Sequence, residues 1–204
     1  MLPSWFVYVA IGIRVYGGFD YFRSVLTGRS KPNPITWFIW GLTPMVAFAA
    51  QIHEHVGIQA WVTFALGFTP LMICVAALYK DRSRSHFTTF NVGCGMLAII
   101  GVILWQLTEQ PILAIVFSIL ADIFGSIPTL IKSYYRPHTE YLAPYLLSIL
   151  SMALTLATFK VWHFTGYAFT VYILLINTAI SGTILVGHSL QRKQKAARRR
   201  RKKQ

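Results

Sequence analysis

The chain has 204 residues, of which 55% are hydrophobic and only 12% are charged, and its mean hydropathy is +0.53. These values exclude an ordinary soluble domain, in which about a quarter of the residues are charged. The formal net charge is +13. Much of it comes from the carboxyl-terminal run from Arg192 to Lys203, so it says little about what the rest of the chain binds.

Seven apolar windows follow one another along the chain, separated by short polar corners. Each is close to the roughly 20 residues that a helix needs to cross about 30 Å of hydrocarbon. The sequence therefore predicts an all-α membrane protein without a soluble domain. The seven predicted spans cover about 4–26, 34–52, 57–79, 87–107, 112–133, 141–159 and 165–188.

The first three spans and the last three repeat one another at a nearly constant separation. The matched positions are Arg14 with Asp122, Gly17 with Gly125, Arg23 with Lys132, Pro34 with Pro144 and Gly57 with Gly166. Two copies of one helical unit are typical of transporters, with the site where the copies meet. We divide the chain into a first three-helix repeat (1–84), a linker helix (85–110), a second repeat (111–190) and a basic tail (191–204).

The distribution of Lys and Arg among the corners predicts the orientation. The corners after the first, third and fifth spans are basic, as is the tail, whereas the opposite corners hold Glu54, Glu109 and only Lys160. Because basic loops stay in the cytoplasm, we expect the amino terminus outside the cell membrane and the carboxyl terminus in the cytoplasm. The fourth span then makes the two repeats parallel. Since it has no counterpart, we expect it at the periphery.

Residues 123–133 (IFGSIPTLIKS) and 137–150 (PHTEYLAPYLLSIL) resemble the SWEET and PQ-loop (MtN3-like) transporter superfamily. Thr129 replaces the glutamine of the PQ pair, and Asp20 stands where the first repeat would have its proline, so the chain is similar to a divergent bacterial-type branch. The resemblance implies a three-plus-one-plus-three helix plan. It also implies that Pro128 acts as a hinge of the inner gate and that Asn177 contacts substrate hydroxyls.

Two charged residues are predicted near the middle of the membrane, Arg14 in the first span and Asp122 in the fifth. An isolated charge at that depth is costly, so each should pair or face water. As equivalent positions of the repeat, both should face the axis between the units. In the functional interpretation they form a bond at the heart of the pathway that contacts a polar substrate or switches during transport; in the structural one they form a static ion pair that ties the two halves together.

Three further residues have a functional and a structural interpretation. Asn177 offers an amide that both donates and accepts, which suits a neutral polar solute, but it could equally bond a neighbouring helix. Trp40, one turn after Trp37, is a candidate wall of the cavity or a packing residue. Asp20 either pairs with Arg23, Lys80 or Arg82 as an inner gate, or is a solvated carboxylate.

Other chemistry has little support in the sequence. Cys74 and Cys94 lie inside apolar windows, and the His53–His55 corner lacks the His-Glu-x-x-His spacing of a metal site. We therefore expect no enzyme activity, metal or cofactor. The basic tail should contact anionic lipid headgroups rather than nucleic acid, and a homo-oligomer is left open.

The predicted function is transport of a small polar solute by alternating access, with facilitated diffusion as the default. By the resemblance, a sugar is the first candidate, followed closely by a nucleoside-like vitamin or an amino acid. A receptor of the same fold that binds without transport, or a membrane-embedded assembly protein, remain alternatives.

Overall fold

The computed structural model describes residues 2–30, 32, 34–80 and 110–201, together with nine isolated helical positions between 89 and 108. Side chains are described as far as Lys193, apart from Thr139. The predicted linker helix (87–107) lies largely outside the described residues, so its peripheral placement stays a prediction.

The described chain is all-α. Its helices are α1 (Phe6–Leu26), α2 (Pro34–His53), α3 (Ala60–Lys80), α4 (Pro111–Tyr135), α5 (Ala143–Thr158) and α6 (Phe164–Arg201), with a short 3₁₀ turn at Pro137–Thr139 before α5. Prolines begin several of them: Pro34 opens α2, Pro111 opens α4, and Pro144 lies in the first turn of α5. A helix tolerates proline there because its first N–H groups have no partner within the helix.

Four helices in the described residues are long and apolar enough to cross a membrane. They are α2, α3, α4 and the part of α6 up to Lys193. Helix α1 is equally long, but Arg14, Asp20 and Arg23 reduce its apolar character. Helix α5 is apolar but has only 16 residues. The all-α fold and the apolar helices agree with the prediction of a multi-pass membrane protein.

Helix α6 differs from its predicted span, which ended near residue 188. It continues to Arg201 and has 38 residues, a length of about 57 Å at 1.5 Å per residue. The residues after Gly187 contain no proline, and Ala, Lys, Arg and Gln are good helix formers. The predicted basic tail is therefore helical as far as Arg201, and α6 as a whole is much longer than the roughly 30 Å of the hydrocarbon layer.

The six helices form a closed ring. Helix α3 packs between α1 and α2, and α6 packs between α4 and α5. The ring is completed where α1 packs on α5 and where α2 packs on α4. In each half, the first helix therefore contacts the second helix of the other half. We call α1–α3 the first unit and α4–α6 the second unit.

Two glycines bring the units together at equivalent places. A Cβ atom on Gly17 of α1 would lie 3.1 Å from Leu147 of α5, and one on Gly125 of α4 would lie 2.9 Å from Ile39 of α2. The same separation along the chain relates Gly17 to Gly125 and Ile39 to Leu147. The close approach at both places favours a residue without a side chain, and small residues are the usual device for packing helices in membranes.

The two ends of the ring differ in composition. The basic end holds the corners after α1 and α4, where Arg23, Arg29, His138 and Glu140 line a common surface pocket. The amino-terminal end holds the corners after α2 and α5, which come together with Ser4 near the chain start.

The buried core also divides between these ends. A continuous cluster at the amino-terminal end takes residues from all six helices: Val7, Ala10, Val46, Ala47, Ala50, Val62, Leu66, Ala114, Ile115, Met152, Ala168, Phe169 and Ile173. Toward the basic end, Tyr21, Val25, Trp37, Ile73, Cys74 and Ala76 form a cluster within the first unit. Another around Tyr145, Ile180 and Ile184 lies mainly in the second unit.

Candidate binding cavity between the two units

A cavity lies between the two units, on the basic-end side of the continuous core. It has about 490 Å³ of space free of protein atoms, including the solvent at its mouth. All six helices line it: Arg14 from α1, Trp37, Trp40 and Pro44 from α2, Leu66 and Pro70 from α3, Asp122 and Ser126 from α4, Pro144, Tyr145 and Ser148 from α5, and Ile173, Ile176, Asn177 and Ile180 from α6. Four of the residues singled out in the sequence, Arg14, Trp40, Asp122 and Asn177, are among them.

Asp122 is almost completely buried, with 2% of its surface exposed, and hydroxyl groups surround its carboxylate. The Tyr172 hydroxyl donates to Oδ2 at 2.6 Å, and the Ser126 hydroxyl donates to the same oxygen at 3.4 Å. The Thr43 hydroxyl lies 2.7 Å from Oδ1 and also 3.0 Å from the Ile39 carbonyl. The single hydroxyl proton of Thr43 can be donated to only one of these two oxygen atoms at a time. Helices α2 and α6 thus both contribute to holding Asp122.

Arg14 is also buried, with 8% of its surface exposed, but it is poorly satisfied. Its Nη2 donates to the Leu66 carbonyl at 3.5 Å, a long hydrogen bond. Its Nε is buried and has no partner among the described residues. The ion pair with Asp122 that the sequence offered as one alternative is not formed. Both side chains instead face the cavity.

Aromatic side chains cover the basic-end side of the cavity. The ring centroids of Trp37 and Trp40 are 5.3 Å apart, and those of Trp40 and Tyr145 are 6.4 Å apart, with the rings edge to face in both pairs. The Trp40 indole Nε1 donates to Ser126 Oγ at 3.1 Å, and this hydroxyl donates in turn to Asp122. Trp40 is therefore both a cavity wall and a connection between α2 and α4.

Asn177 lies across the cavity on α6. Its Nδ2 donates to the Ile173 carbonyl one turn earlier, at 2.7 Å. Its amide oxygen is not used by any hydrogen bond among the described residues. The bond to its own helix differs from the interhelical bond weighed in the sequence, and it leaves an acceptor available to the cavity.

The two residues expected at a gate do not line the cavity. Pro128 is half-buried within α4, which continues as one helix on both sides of it. Asp20 lies in the surface pocket at the basic end. The Tyr141 hydroxyl, from the corner before α5, donates to the Asp20 carboxylate, and this hydrogen bond raises the pKa of Tyr141 above its ordinary value.

The ion pairs considered for Asp20 are not seen with Arg23 or Lys80. Its third candidate partner, Arg82, lies outside the described residues. The gating roles of Asp20 and Pro128 therefore stay predictions.

Sequence reasoning missed Glu140, which lies on the basic-end side of the aromatic wall. Its Oε1 is 2.9 Å from Lys132 Nζ, and its Oε2 accepts a hydrogen bond from the Tyr145 hydroxyl at 3.1 Å. The Glu140 side chain is 5% exposed. A carboxylate close to a basic residue in a polar corner was a visible signal, but the connection to a cavity residue depends on the fold of the corner.

No set of three or more His, Cys, Asp or Glu side chains that could hold a metal ion occurs among the described residues. His53 Nδ1 and Glu54 Oε1 lie 3.6 Å apart in the corner after α2, and both side chains are exposed. Neither a protein-family model, a curated protein nor a solved structure matches the chain.

Proposed function

We propose that the protein is a multi-pass membrane transporter that moves a small polar solute by alternating access through the cavity between its two units. The observation that carries the proposal is the cavity itself. It is lined by all six described helices and holds two buried ionisable side chains, Arg14 and Asp122, at matched positions of the repeat. Ionisable groups in a membrane-embedded interior mark substrate pathways more often than structural sites.

The uneven packing around the cavity supports the alternating-access part of the proposal. At the amino-terminal end the two units share one apolar core, and the Gln51 amide donates to the Gly166 carbonyl at 3.1 Å across the units. Toward the basic end each unit has a cluster of its own, and among the described residues these clusters are joined by Trp40, which packs against both, while Ile39 and Ala121 form a small cluster across the units. A transporter closed on one side and poised to part on the other has this distribution of contacts.

The arrangement in the membrane is part of the proposal. The predicted span 87–107 would supply the seventh helix of a three-plus-one-plus-three plan and make the two units parallel. The amino-terminal end would face the outside of the cell membrane and the basic end the cytoplasm, because Arg23, Arg29, Lys132 and Arg136 gather there. The basic extension of α6 would then contact anionic lipid headgroups.

A SWEET-like or PQ-loop-like relationship is consistent with this arrangement and would favour a sugar as the solute. The two units of similar helix order support the relationship only through the internal repeat that the resemblance implies. A nucleoside-like vitamin or an amino acid remains an alternative solute, and binding without transport remains an alternative function.

The test is solute exchange in liposomes. The purified protein is reconstituted and loaded with unlabelled sugars, nucleosides or amino acids, and counterflow of each labelled solute is measured against protein-free liposomes. Transport predicts a saturable signal for at least one solute, lost in Asp122→Ala but kept in a variant of the exposed corner such as Glu54→Gln. Saturable binding without counterflow for any solute would instead identify a receptor.

A further inference from the structure

We infer that the solute carries a carboxylate group and that Arg14 is the residue that binds it. This inference rests on the proposed binding function of the cavity and narrows its substrate class. It is carried by a contrast inside the cavity: Arg14 and Asp122 are both buried, but only Asp122 has its hydrogen-bonding needs met by the protein.

The hydrogen bonds of Arg14 are incomplete. A guanidinium group has five N–H donors in a planar fork and no acceptor. Among the described residues, Arg14 uses one nitrogen, in the 3.5 Å bond to the Leu66 carbonyl, and its buried Nε has no partner. A buried charged group without partners is costly, so an acceptor brought in by a ligand would relieve the cost.

The negative charge that could neutralise Arg14 is not supplied by the nearby protein. Of the six acidic residues in the chain, Asp122 is held by hydroxyl groups, and Asp20, Glu54 and Glu140 lie in the corner pockets at the two ends. Asp81 directly follows α3 and Glu109 precedes α4 in the sequence, whereas Arg14 lies about 12 Å into α1 at 1.5 Å per residue. Arg14 therefore has no acidic side chain among the described residues to pair with.

A carboxylate suits the Arg14 guanidinium better than a neutral hydroxyl does. Two oxygen atoms match the guanidinium fork, and charge-assisted hydrogen bonds of this kind are about twice as strong as neutral ones. The remaining walls suit the body of a small organic acid. Trp40, Tyr145 and Ile176 offer aromatic and apolar surface, and the open amide oxygen of Asn177 accepts one hydroxyl or ammonium proton.

The test compares carboxylates with neutral solutes of the same shape. Purified protein in detergent is heated with glucuronate or glucose, lactate or lactamide, and benzoate or benzamide, and the shift of the unfolding temperature is followed with concentration. The variants are Arg14→Gln, which removes the charge, and Arg14→Lys, which keeps it. Arg23→Gln is the matched control, because Arg23 lies on the same helix but is exposed at the basic end.

The inference predicts that at least one carboxylate binds about tenfold or more tightly than its neutral partner. Arg14→Gln should lose this preference, Arg14→Lys should keep part of it, and Arg23→Gln should keep all of it. Equal binding of the members of each pair, or an unchanged preference in Arg14→Gln, would overturn it. Equal loss in Arg14→Gln and Arg23→Gln would also overturn it, as would no shift with any carboxylate.

The same solutes in liposome counterflow separate this inference from the proposed transport. Arg14-dependent binding of a carboxylate without counterflow supports the inference and overturns transport. Counterflow of neutral solutes alone supports transport and overturns the inference. If Arg14→Gln does not fold, the paired solutes with the unaltered protein and Arg14→Lys decide the outcome.

Discussion

The amino-terminal and basic halves of the ring are built from the same six helices but hold together in different ways. In the amino-terminal half, buried alanines at Ala10, Ala47, Ala50 and Ala114 allow the helices to approach closely around one shared core. In the basic half, large aromatic side chains fill two separate clusters, and Trp40 packs against both. Small residues bring the helices together in the shared core, whereas at the basic end aromatic rings fill the space around Trp40, beside the close contacts of Gly17 with Leu147 and of Gly125 with Ile39.

Hydrogen bonds between the units show the same asymmetry. At the amino-terminal end, the Leu2 amide donates to the Ala157 carbonyl at 2.8 Å, and the Ser151 hydroxyl donates to the Ala10 carbonyl at 2.8 Å. Both acceptors are main-chain carbonyls of helices, Ala157 in α5 and Ala10 in α1, so the helices fix their positions. At the basic end the units meet through side chains such as Tyr141 and Trp40, which can rotate away. The proposed alternating access therefore places the opening at the basic end.

The largest effect is expected where the two halves meet, at Asp122. Changing Asp122 to Ala leaves the hydroxyls of Tyr172 and Ser126 without their acceptor, at about 1–3 kcal/mol for each unsatisfied group, whereas the Thr43 hydroxyl can still donate to the Ile39 carbonyl. Asp122→Asn keeps one acceptor oxygen and should lose less stability. The unfolding temperature in detergent measures both. Because Arg14 is a poorly satisfied buried charge whether or not Asp122 is present, removing it as well should relieve a cost, so the double variant with Arg14→Ala should be less harmed than Asp122→Ala alone; a further loss in the double variant would contradict this.

A smaller effect is expected from overfilling the shared core. Ala47 is fully buried in α2, so Ala47→Leu should destabilise the protein by about 1–3 kcal/mol. It should also part the units at the amino-terminal end. The readout is labelling by a membrane-impermeant thiol reagent of a cysteine at Gln59, in a background without the native cysteines. The control is Ala153→Leu, since Ala153 is exposed on α5. Equal labelling in both variants would show that this end is not a closed gate.

The positions of the described helices could be predicted from the sequence, because apolar length depends on local composition. The helices lie close to the predicted spans, and the alignment of Arg14 with Asp122 brought out two residues that the fold places at one cavity. The extension of α6 to Arg201 was not predicted, because the predicted span ended at about residue 188, where the apolar residues end. Helical propensity continues beyond that point, and only a breaker would have stopped it.

The hydrogen bonds of the site could not be predicted. Whether Asp122 pairs with Arg14 or with Tyr172, Ser126 and Thr43 depends on the rotation of four helices about their axes, which the repeat does not determine. Glu140 was overlooked because it lies in a polar corner, where a carboxylate is ordinarily solvated. Its burial and its bond to Tyr145 come from the fold of that corner against the second unit.

Removing the charge of Glu140 should loosen the basic half with little effect on the amino-terminal half. Glu140→Gln weakens the contacts with Lys132 and Tyr145, and the aromatic wall should then open more often toward the basic end. A cysteine at Ser148, which lines the cavity, should be labelled several-fold faster by an impermeant thiol reagent added from the basic side. The comparison is His138→Gln in the same corner, which is exposed. Unchanged labelling at Ser148 would mean that Glu140 only stabilises the corner.

The smallest effects should distinguish binding from opening, with Asn177 in the cavity and Pro128 in α4. Asn177→Ala removes the open amide oxygen, so it should raise the half-saturation constant of transport a few-fold and leave the maximal rate nearly unchanged. Pro128→Ala restores a main-chain N–H donor and stiffens α4, so it should lower the maximal rate and leave the half-saturation constant alone. Initial rates of counterflow over a range of solute concentrations measure both constants. If both variants transport like the unaltered protein, the cavity is not the route or α4 does not bend at Pro128. If Pro128→Ala changes only the half-saturation constant, the proline shapes the cavity and does not act as a hinge.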